Sequence, residues 1–318
     1  MKLKRELEAI LTKEISVLLE KSKCMKRGEE LQEIRMNIGQ PLIIKCKEGE
    51  YILKSNGEAT KDFKEGLCVT ANMVRDTFSG ACKYSAYAFE EEVRQGFLTI
   101  EGGHRIGIVG QAIMEDGKVK NLKYISGLNI RIAKENIGCG EVLVNEIYNH
   151  KELSSALIVS VPGGGKTTLL RDCIRVLSEG TGERKGYRVG VVDERGELGA
   201  AYRGITQNHL GPRTDLLDRI SKKEGIFMLL RSMAPEIIAV DEIGSKEDEE
   251  ALHRAMLCGC KLLATAHASS IQEARIRFEA LGIFDYIILL DGNHVGRIKE
   301  IYQSPGNFQK KEALLCGS

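Results

Sequence analysis

Residues Ser155 to Arg171 read SALIVSVPGGGKTTLLR, and this stretch decides the fold. The apolar run Leu157 to Val161 predicts a buried β-strand, residues Pro162 to Gly165 predict a turn, and Lys166 begins a segment with apolar residues at helical spacing. Glycines let backbone N–H groups converge on an anion, and the positive end of the helix points at the same place. The order of strand, glycine loop and helix therefore predicts a phosphate-binding loop.

The stretch matches the motif G-x-x-x-x-G-K-[ST], except that Ser160 replaces the leading glycine. In this motif Lys166 reaches the β- and γ-phosphates of a nucleotide, and the Thr167 hydroxyl binds Mg²⁺. The alternative is a turn that only happens to carry these letters, and the acidic strand ends described below count against it. The expected nucleotide-binding residues are Pro162, Gly163, Gly164, Gly165, Lys166, Thr167 and Thr168.

The composition is that of a globular protein long enough for two domains, with 318 residues, 42% hydrophobic and 29% charged. A net charge of +1 indicates no excess of basic residues, which argues against nucleic acid as a partner. The nine cysteines are scattered without a disulfide or zinc framework, so we expect reduced thiols and a cytoplasmic protein. We expect no signal peptide, and no transmembrane segment, because no stretch approaches the roughly 18 apolar residues that cross a bilayer.

The first part of the chain, residues 1–138, predicts a smaller α+β domain without a catalytic cluster of its own. Leu3 to about Ser22 has the spacing of an amphipathic helix, and Thr70 is a plausible N-cap of a second helix. Phe97 to Ile100 and Arg105 to Gly110 predict a glycine-rich hairpin. We place the domain boundary at the glycine-broken segment that begins at residue 138.

Residues 139–318 predict a domain in which strands alternate with helices. This alternation favours an α/β fold with a mostly parallel sheet that is covered on both faces. In such sheets ligands bind outside the carboxyl ends of the strands. The predicted strands are Leu157 to Val161, Arg188 to Asp193, Ile237 to Asp241, Leu262 to Thr265 and Tyr286 to Leu290.

The strand beginning at Ile237 ends in two adjacent carboxylates, Asp241 and Glu242. Downstream of a phosphate-binding loop, this arrangement is typical of a Walker B site. We expect Asp241 to lie beside the Mg²⁺ ion and to act on it through a water molecule. Glu242 would then polarise the water that attacks the γ-phosphate.

A second strand ends in Asp193, Glu194 and Glu197. If this strand neighbours the strand of the phosphate-binding loop, Glu194 or Glu197 competes with Glu242 as the general base. The alternative is a solvated acidic loop with no role in catalysis.

A third strand end carries Thr265 and His267. Their hydroxyl and imidazole groups are both able to contact a γ-phosphate or the attacking water. A lone histidine is more often a structural residue, but its place after a Walker B strand favours a sensor role for His267.

Hydrolysis of a triphosphate also needs positive charge opposite the γ-phosphate, often from a neighbouring subunit. Spacing does not choose among the arginines, and for each the alternative is an ordinary surface or salt-bridge residue. The candidates are Arg203, Arg213 and Arg231 in the nucleotide domain, and Arg105 and Arg131 in the N-terminal domain.

Together these blocks resemble the stage III sporulation protein AA family, RecA-like ATPases related to those that drive type II and type IV secretion and type IV pili. The resemblance covers nearly the whole length. It is carried by EIRMNIGQPL (Glu33 to Leu42), GGHRIGIVGQA (Gly102 to Ala112), SVPGGGKTTLLRD (Ser160 to Asp172), VVDERGELGAAYRG (Val191 to Gly204), RTDLLD (Arg213 to Asp218), LLRSMAPEIIAVDEIG (Leu229 to Gly244) and TAHA (Thr265 to Ala268).

The resemblance implies ATP and Mg²⁺ as ligands, a homohexameric ring and a peripheral position at the membrane, on the mother-cell side of a forespore channel. A membrane protein of the sporulation channel complex would be the docking partner. Asp193 and Glu194 would correspond to the Asp box of secretion ATPases, and His267 to their His box. The nucleotide of that family lies between the two domains. The resemblance therefore also suggests that Arg131 and Arg105 contact the nucleotide.

The predicted function is therefore an ATP-hydrolysing motor. Two alternatives remain, a nucleotide-responsive scaffold with little turnover and a RecA-like nucleic-acid translocase. The absence of Trp, the 5% aromatic content and the near-neutral charge count against the translocase.

Overall fold

The computed structural model describes residues 3–22, 31–83, 89–149, 152–182, 184–279, 281–292, 294–303 and 309–311. The chain divides into two compact units, Met1–Lys134 and Glu135–Ser318, which we call the N-terminal and C-terminal units. The sequence pattern predicts the boundary slightly later, at residue 138. Glu135 belongs to the C-terminal unit because its carboxylate accepts a 2.5 Å hydrogen bond from the His209 backbone N–H.

The N-terminal unit contains four α-helices and seven β-strands among its described residues. The helices are α1 (Arg5–Glu8), α2 (Lys13–Lys21), α3 (Ala71–Ala81) and α4 (Glu90–Arg94). The strands are β1 (Leu31–Asn37), β2 (Ile43–Cys46), β3 (Gly49–Leu53), β4 (Ala59–Thr60), β5 (Phe97–Thr99), β6 (Arg105–Glu115) and β7 (Lys118–Arg131).

The first helical segment differs from the prediction of one helix. It is interrupted between α1 and α2, where the Thr12 hydroxyl accepts a hydrogen bond from the Ile15 backbone N–H and so begins a new helix. Thr70 caps α3 in the same way, through a 3.3 Å hydrogen bond from the Met73 N–H, which confirms that prediction. Threonine therefore marks two helix starts in this unit.

The seven strands form one antiparallel sheet in the order β4-β3-β2-β1-β7-β6-β5. The hairpin predicted from the glycine-rich segment is present as β5 and β6, with Leu98 opposite Ile106. The sheet and its helices form the core of this unit, in which Ile34, Met36, Ile106 and Ile130 are completely buried.

The C-terminal unit carries the remaining elements. Its helices are α5 (Glu141–Ile147), α6 (Lys166–Glu179), α7 (Lys222–Ser232), α8 (Lys246–Leu257) and α9 (Ile271–Arg277). Its strands are β8 (Tyr148–Asn149), β9 (Glu152–Leu153), β10 (Ala156–Ser160), β11 (Val189–Asp193), β12 (Thr214–Asp218), β13 (Ile237–Ile243), β14 (Lys261–His267), β15 (Tyr286–Leu290), β16 (Ile298–Gln303) and β17 (Gln309–Lys311).

Eight of these strands form a mixed sheet in the order β12-β11-β13-β14-β10-β15-β16-β17. The strands from β12 to β15 are parallel, and β16 and β17 continue the sheet antiparallel. All five predicted strands are present, whereas β12 is an addition to the prediction. Strand β14 lies between β10 and β13, so their carboxyl ends meet at one edge of the sheet.

Both faces of this sheet are covered. Along β10, Ala156 and Ile158 face one apolar cluster, which includes residues of α5 and α6. Leu157 and Val159 face a second cluster, which includes residues of α7, α8 and α9. This arrangement explains why these strands carry continuous apolar runs, such as Ala156 to Val159 and Ile237 to Val240, rather than apolar residues at alternate positions. No helix in the described ranges is both long enough and apolar enough to span a membrane.

Candidate functional site

The glycine loop between β10 and α6 has the backbone conformation that its sequence predicts. Gly163 and Gly165 have φ values of 76° and 88°, in the left-handed region that favours glycine. A Cβ atom at Gly164 would lie 1.9 Å from the Ser160 hydroxyl oxygen, so this glycine is required for space. Gly164 also accepts a 2.9 Å hydrogen bond from the Gly296 N–H in the loop after β15. The loop is therefore closely packed on two sides.

Lys166 begins α6 and is buried beneath the loop. Its Nζ donates to the carbonyl oxygens of Ser160 and Val161, at 3.3 Å each, and lies 3.1 Å from Nδ1 of His267. Burial lowers the pKa of this ammonium group, and the nearby carboxylates of Glu242 and Asp241 oppose that effect. The lysine of the motif is thus folded back onto its own loop.

Thr167 and Asp241 come together as the sequence predicts. The Thr167 hydroxyl donates to Asp241 Oδ2 at 2.8 Å, and the Thr265 hydroxyl donates to Asp241 Oδ1. A hydroxyl and a carboxylate are the hard oxygen ligands that Mg²⁺ prefers, usually together with water and phosphate oxygens. The described residues contain no cluster of three or more His, Cys, Asp or Glu side chains suited to a metal. The residues present therefore fit a cation bound jointly by this pair and a phosphate ligand.

A β-bulge in β13 places the two adjacent acids. The register with β14 shifts between Val240 and Ile243, and Glu242 has a φ of 51° in the left-handed region. Bulges next to functional sites redirect side chains that would otherwise alternate between faces. The Glu242 backbone N–H donates to the Thr265 hydroxyl at 2.8 Å, which fixes the bulge. The charges of Glu242 and Asp241 consequently both raise the pKa of Lys166.

Both carboxylate oxygens of Glu242 have side-chain partners. Oε1 lies 3.0 Å from His267 Nε2, and Oε2 contacts the guanidinium of Arg195. Because Lys166 can only donate, its contact with His267 Nδ1 makes that nitrogen the acceptor. The proton of the neutral imidazole then lies on Nε2 and is donated to Glu242. His267 therefore bridges the lysine of the loop and the acid of β13.

The acids after β11 behave differently from those after β13. Asp193 is buried and accepts hydrogen bonds from the backbone N–H groups of Glu197 at 2.9 Å and Gly199 at 2.8 Å. Burial raises its pKa, against the opposing effect of these bonds. Glu194 instead contacts the buried ammonium of Lys222. Of the candidate bases Glu194 and Glu242, it is Glu242 that contacts His267, which in turn contacts Lys166, in the described part of the chain.

Arg195 is the residue of this site that the sequence pattern does not single out. Its side chain is 62% exposed, and its guanidinium contacts Glu242. The only sequence signal is its place directly after the acidic end of β11. Its partner lies on β13, and only the strand order brings the two together.

The arginines that the sequence suggests have other partners or surroundings within their own units. Arg213 donates to the carbonyl oxygens of Ser178 and Glu179 at the far end of α6, and Arg231 is exposed in the last turn of α7. Arg203 is exposed beside the Tyr202 ring. In the N-terminal unit, the Arg105 guanidinium lies 3.6 Å from the centre of the Phe97 ring. Arg131 is 68% exposed, with its Nε 4.0 Å from Glu33.

Known proteins are similar to this chain in sequence and in fold. A family model described as "Sporulation stage III, protein AA" matches residues 1–308. The stage III sporulation protein AA of Bacillus subtilis (strain 168) is 37% identical over 284 residues, which cover 87% of this chain and 88% of the relative. These matches confirm the resemblance that the sequence blocks predict.

Two solved structures are similar in fold. The ATPase DotB of Legionella pneumophila has a TM-score of 0.53 at 15% identity, over 81% of this chain and 71% of that protein. The pilus retraction motor PilT with bound ADP has a TM-score of 0.53 at 16% identity, over 85% of this chain and 77% of that protein. The predicted fold class is confirmed as a RecA-like α/β unit preceded by an α+β unit. The chain belongs to the sporulation stage III protein AA family.

Proposed function

We propose that this protein is a Mg²⁺-dependent ATPase that drives a membrane-associated complex during endospore formation. One observation carries the proposal most directly, namely that Lys166, His267 and Glu242 form a continuous network at the carboxyl edge of the parallel sheet. A lysine for phosphates and a carboxylate for water are two of the groups that this hydrolysis requires. Membership of the sporulation family and the fold shared with solved ATPases support it.

The loop from Pro162 to Thr168 would bind the phosphates of ATP through the backbone N–H groups of Gly163 to Thr168 and the N-terminus of α6, since proline has no N–H group to donate. Lys166 would leave the carbonyl oxygens of Ser160 and Val161 and bind the β- and γ-phosphates. Thr167 and Asp241 would hold the Mg²⁺ ion, with Asp241 acting through a water molecule. When bound, Mg²⁺ neutralises charge that develops on the phosphate oxygens.

Glu242 would orient the attacking water and accept its proton as the water oxygen bonds to the γ-phosphorus. The bond between the γ-phosphorus and the bridging oxygen breaks, which gives ADP and inorganic phosphate. His267 donates to Glu242 through Nε2 and is placed to sense whether Lys166 has moved to the phosphates. Glu194, held by Lys222, is the weaker candidate for the base.

We further propose that the protein works as a homohexamer, with the N-terminal and C-terminal units as separate domains. Arg131, or Arg105, would contribute positive charge to the nucleotide site in that assembly. A membrane protein of the sporulation channel complex would be the docking partner. The fold shared with PilT, a pilus retraction motor, supports a motor of this kind.

A nucleotide-responsive scaffold with little turnover is the second candidate. The observation that favours it is the occupation of both Glu242 oxygens by His267 and Arg195, because a carboxylate bound in this way is not free to orient water. A scaffold would bind nucleotide and change state without needing Glu242 to be released.

The test is to measure nucleotide binding and phosphate release for the wild-type protein and for Lys166→Ala, Glu242→Gln and Glu194→Gln. Lys166→Ala should abolish tight ATP binding because the phosphates lose their cation. Glu242→Gln should still bind ATP but lose at least about 100-fold in turnover, the usual size of a lost general base. Glu194→Gln should lose far less.

The matched control is Glu250→Gln, an equivalent change on the exposed face of α8. It should leave binding and turnover unchanged. If the wild-type protein binds ATP but releases phosphate no faster than Glu242→Gln, the scaffold replaces the motor. If it does not bind ATP with Mg²⁺ at all, both candidates are wrong.

A further inference from the structure

We propose that Arg195 is the arginine of the C-terminal unit that binds the γ-phosphate, and that Glu242 holds it in reserve when no nucleotide is bound. The inference rests on the proposed ATPase function and adds to it a residue and an order of events. Arg195 would exchange one anion, the Glu242 carboxylate, for another, the γ-phosphate. That exchange would free Glu242 to orient water only when a triphosphate is present.

Arg195 lies close to the groups that would bind the γ-phosphate. Arg195 contacts Oε2 of Glu242, while Oε1 of the same carboxylate contacts His267, which in turn contacts Lys166. Arg195 is therefore two side chains away from the lysine that would bind the γ-phosphate. With 62% of its side chain exposed, the guanidinium is not enclosed by neighbouring groups and is able to change partner.

Several hydrogen bonds hold the segment that follows Arg195. The buried Asp193 carboxylate binds the N–H groups of Glu197 and Gly199, which follow the turn that carries Arg195. Arg171 on α6 donates to the carbonyl oxygens of Glu197 at 2.6 Å and Leu198 at 3.0 Å. The backbone that follows Arg195 is thus tied to the helix that begins at the phosphate-binding loop, whereas the Arg195 side chain is exposed and held only at its guanidinium by Glu242 among the contacts described here.

The charges of the site favour this exchange of partners. The cluster holds two cations, Lys166 and Arg195, against two anions, Asp241 and Glu242. A triphosphate with bound Mg²⁺ still carries net negative charge, and guanidinium binds phosphate oxygens through two parallel N–H groups. Its arrival would therefore draw Arg195 away from Glu242 and Lys166 away from the carbonyl oxygens of its own loop, and the same event would release Oε2 of Glu242.

Other arginines of the C-terminal unit already bind other groups or lie elsewhere in that unit. Arg171 binds the backbone of the loop after β11, and Arg213 binds the carbonyl oxygens at the far end of α6. Arg231 lies at the last turn of α7, which precedes the amino end of β13 rather than its carboxyl end. Within the described ranges, Arg195 is the one of these four arginines whose guanidinium contacts an acid of the candidate site.

The experiment measures equilibrium dissociation constants for ADP and for a non-hydrolysable ATP analogue, both with Mg²⁺. The proteins are the wild-type full chain, Arg195→Ala, Arg195→Lys and the control Arg254→Ala, which removes an exposed arginine from α8. Loss of a charged hydrogen bond to the γ-phosphate should weaken the analogue by about 10- to 100-fold in Arg195→Ala. ADP binding should be unchanged, and Arg195→Lys should lie between.

A second arm tests the exchange itself. Glu242→Gln removes the competing anion, so the analogue should bind several-fold more tightly than to the wild-type protein while ADP does not. In the double variant Arg195→Ala/Glu242→Gln this gain should disappear. These binding measurements do not depend on turnover, so they remain informative if hydrolysis is slow.

Equal losses for ADP and the analogue in Arg195→Ala would assign the residue a structural role and overturn the proposal. Unchanged analogue binding in Arg195→Ala, or a gain in Glu242→Gln that survives in the double variant, would overturn it as well. If the wild-type protein binds neither nucleotide, the proposed ATPase function fails, and that result differs from all of the above.

Discussion

Thr265 links the two acids of the candidate site. It is completely buried, and its hydroxyl accepts a hydrogen bond from the Glu242 N–H while it donates its own proton to Asp241 Oδ1. The sequence pattern suggests a hydroxyl able to contact a γ-phosphate or the attacking water, and in the structure this hydroxyl bonds to the Asp241 side chain and the Glu242 backbone. We conclude that Thr265 positions the acids of the bulge.

Thr265→Val keeps the shape of this side chain and removes its hydroxyl. The Glu242 N–H and one Asp241 oxygen lose a partner, so we expect a loss of about 1–3 kcal/mol in the free energy of unfolding and a higher Mg²⁺ requirement for nucleotide binding. Chemical denaturation and a Mg²⁺ titration measure the two effects. Thr265→Ser restores the hydroxyl and should recover most of both. Wild-type behaviour of Thr265→Val would refute the positioning role.

At the scale of the element, the glycine loop depends on the side chain that replaces the first glycine of the motif. Ser160 ends β10, and its hydroxyl lies where a side chain at Gly164 would have to go. The space required at Gly164 and the serine at position 160 are therefore two parts of one packing arrangement. A loop with glycine at position 160 would not impose this restriction.

Gly164→Ala should consequently abolish nucleotide binding, because the new Cβ atom would overlap the Ser160 hydroxyl and displace the loop. Replacing Ser160 by glycine in the same chain removes the obstacle and should restore part of the affinity. Gly163→Ala is the control, since a Cβ there meets nothing within 4 Å and costs only the strain of its φ of 76°. Equal losses in Gly163→Ala and Gly164→Ala would contradict this account. ATP binding by fluorescence titration provides the measurement.

The elements that the sequence predicts correctly are those with a strong pattern. Continuous apolar runs identify the five strands that begin near Leu157, Arg188, Ile237, Leu262 and Tyr286. Strand β12 lacks such a run, because its residues TDLLD are polar at both ends and only half buried. The break between α1 and α2 is also missed, since apolar spacing continues through it while Thr12 caps a new helix.

The sequence likewise predicts one part of the candidate site and misses another. The ends of β10, β13 and β14 are predicted to meet because parallel strands align their carboxyl ends, and this brings Lys166, Asp241 and His267 together. The contact of Arg195 with Glu242 depends on which strands are neighbours in the sheet, and spacing along the chain does not contain that information.

At the scale of the whole molecule, each of the two units has buried residues of its own, and we expect the two units to differ in how their stability depends on pH. The N-terminal unit contains His104, which is completely buried and whose Nδ1 accepts a 2.9 Å hydrogen bond from the Ala133 N–H. Its Nε2 meets no acceptor within the described ranges. Burial, followed by the nearby charge of Lys4, lowers the pKa of His104 to about 4. The imidazole is therefore neutral in the folded protein.

The stability of the N-terminal unit should decrease in acid. The folded pKa is below the ordinary value of 6.5, so the unfolded chain takes up the proton first. Stability is complete above pH 6.5 and falls as the pH is lowered towards 4, by up to about 3 kcal/mol. Hydrogen exchange of the full chain at several pH values resolves the two units. His104→Gln should flatten the pH dependence in the N-terminal unit only, and an unchanged slope would count against this assignment.

The β-bulge in β13 has a consequence for protein engineering. The extra residue between Val240 and Ile243 lets consecutive acids serve one site, which a regular strand would send to opposite faces of the sheet. Transplanting Asp241 and Glu242 into another parallel scaffold by matching side chains alone would therefore misdirect one of them. The transplanted segment therefore has to include the β-bulge together with Thr265, whose hydroxyl bonds to it.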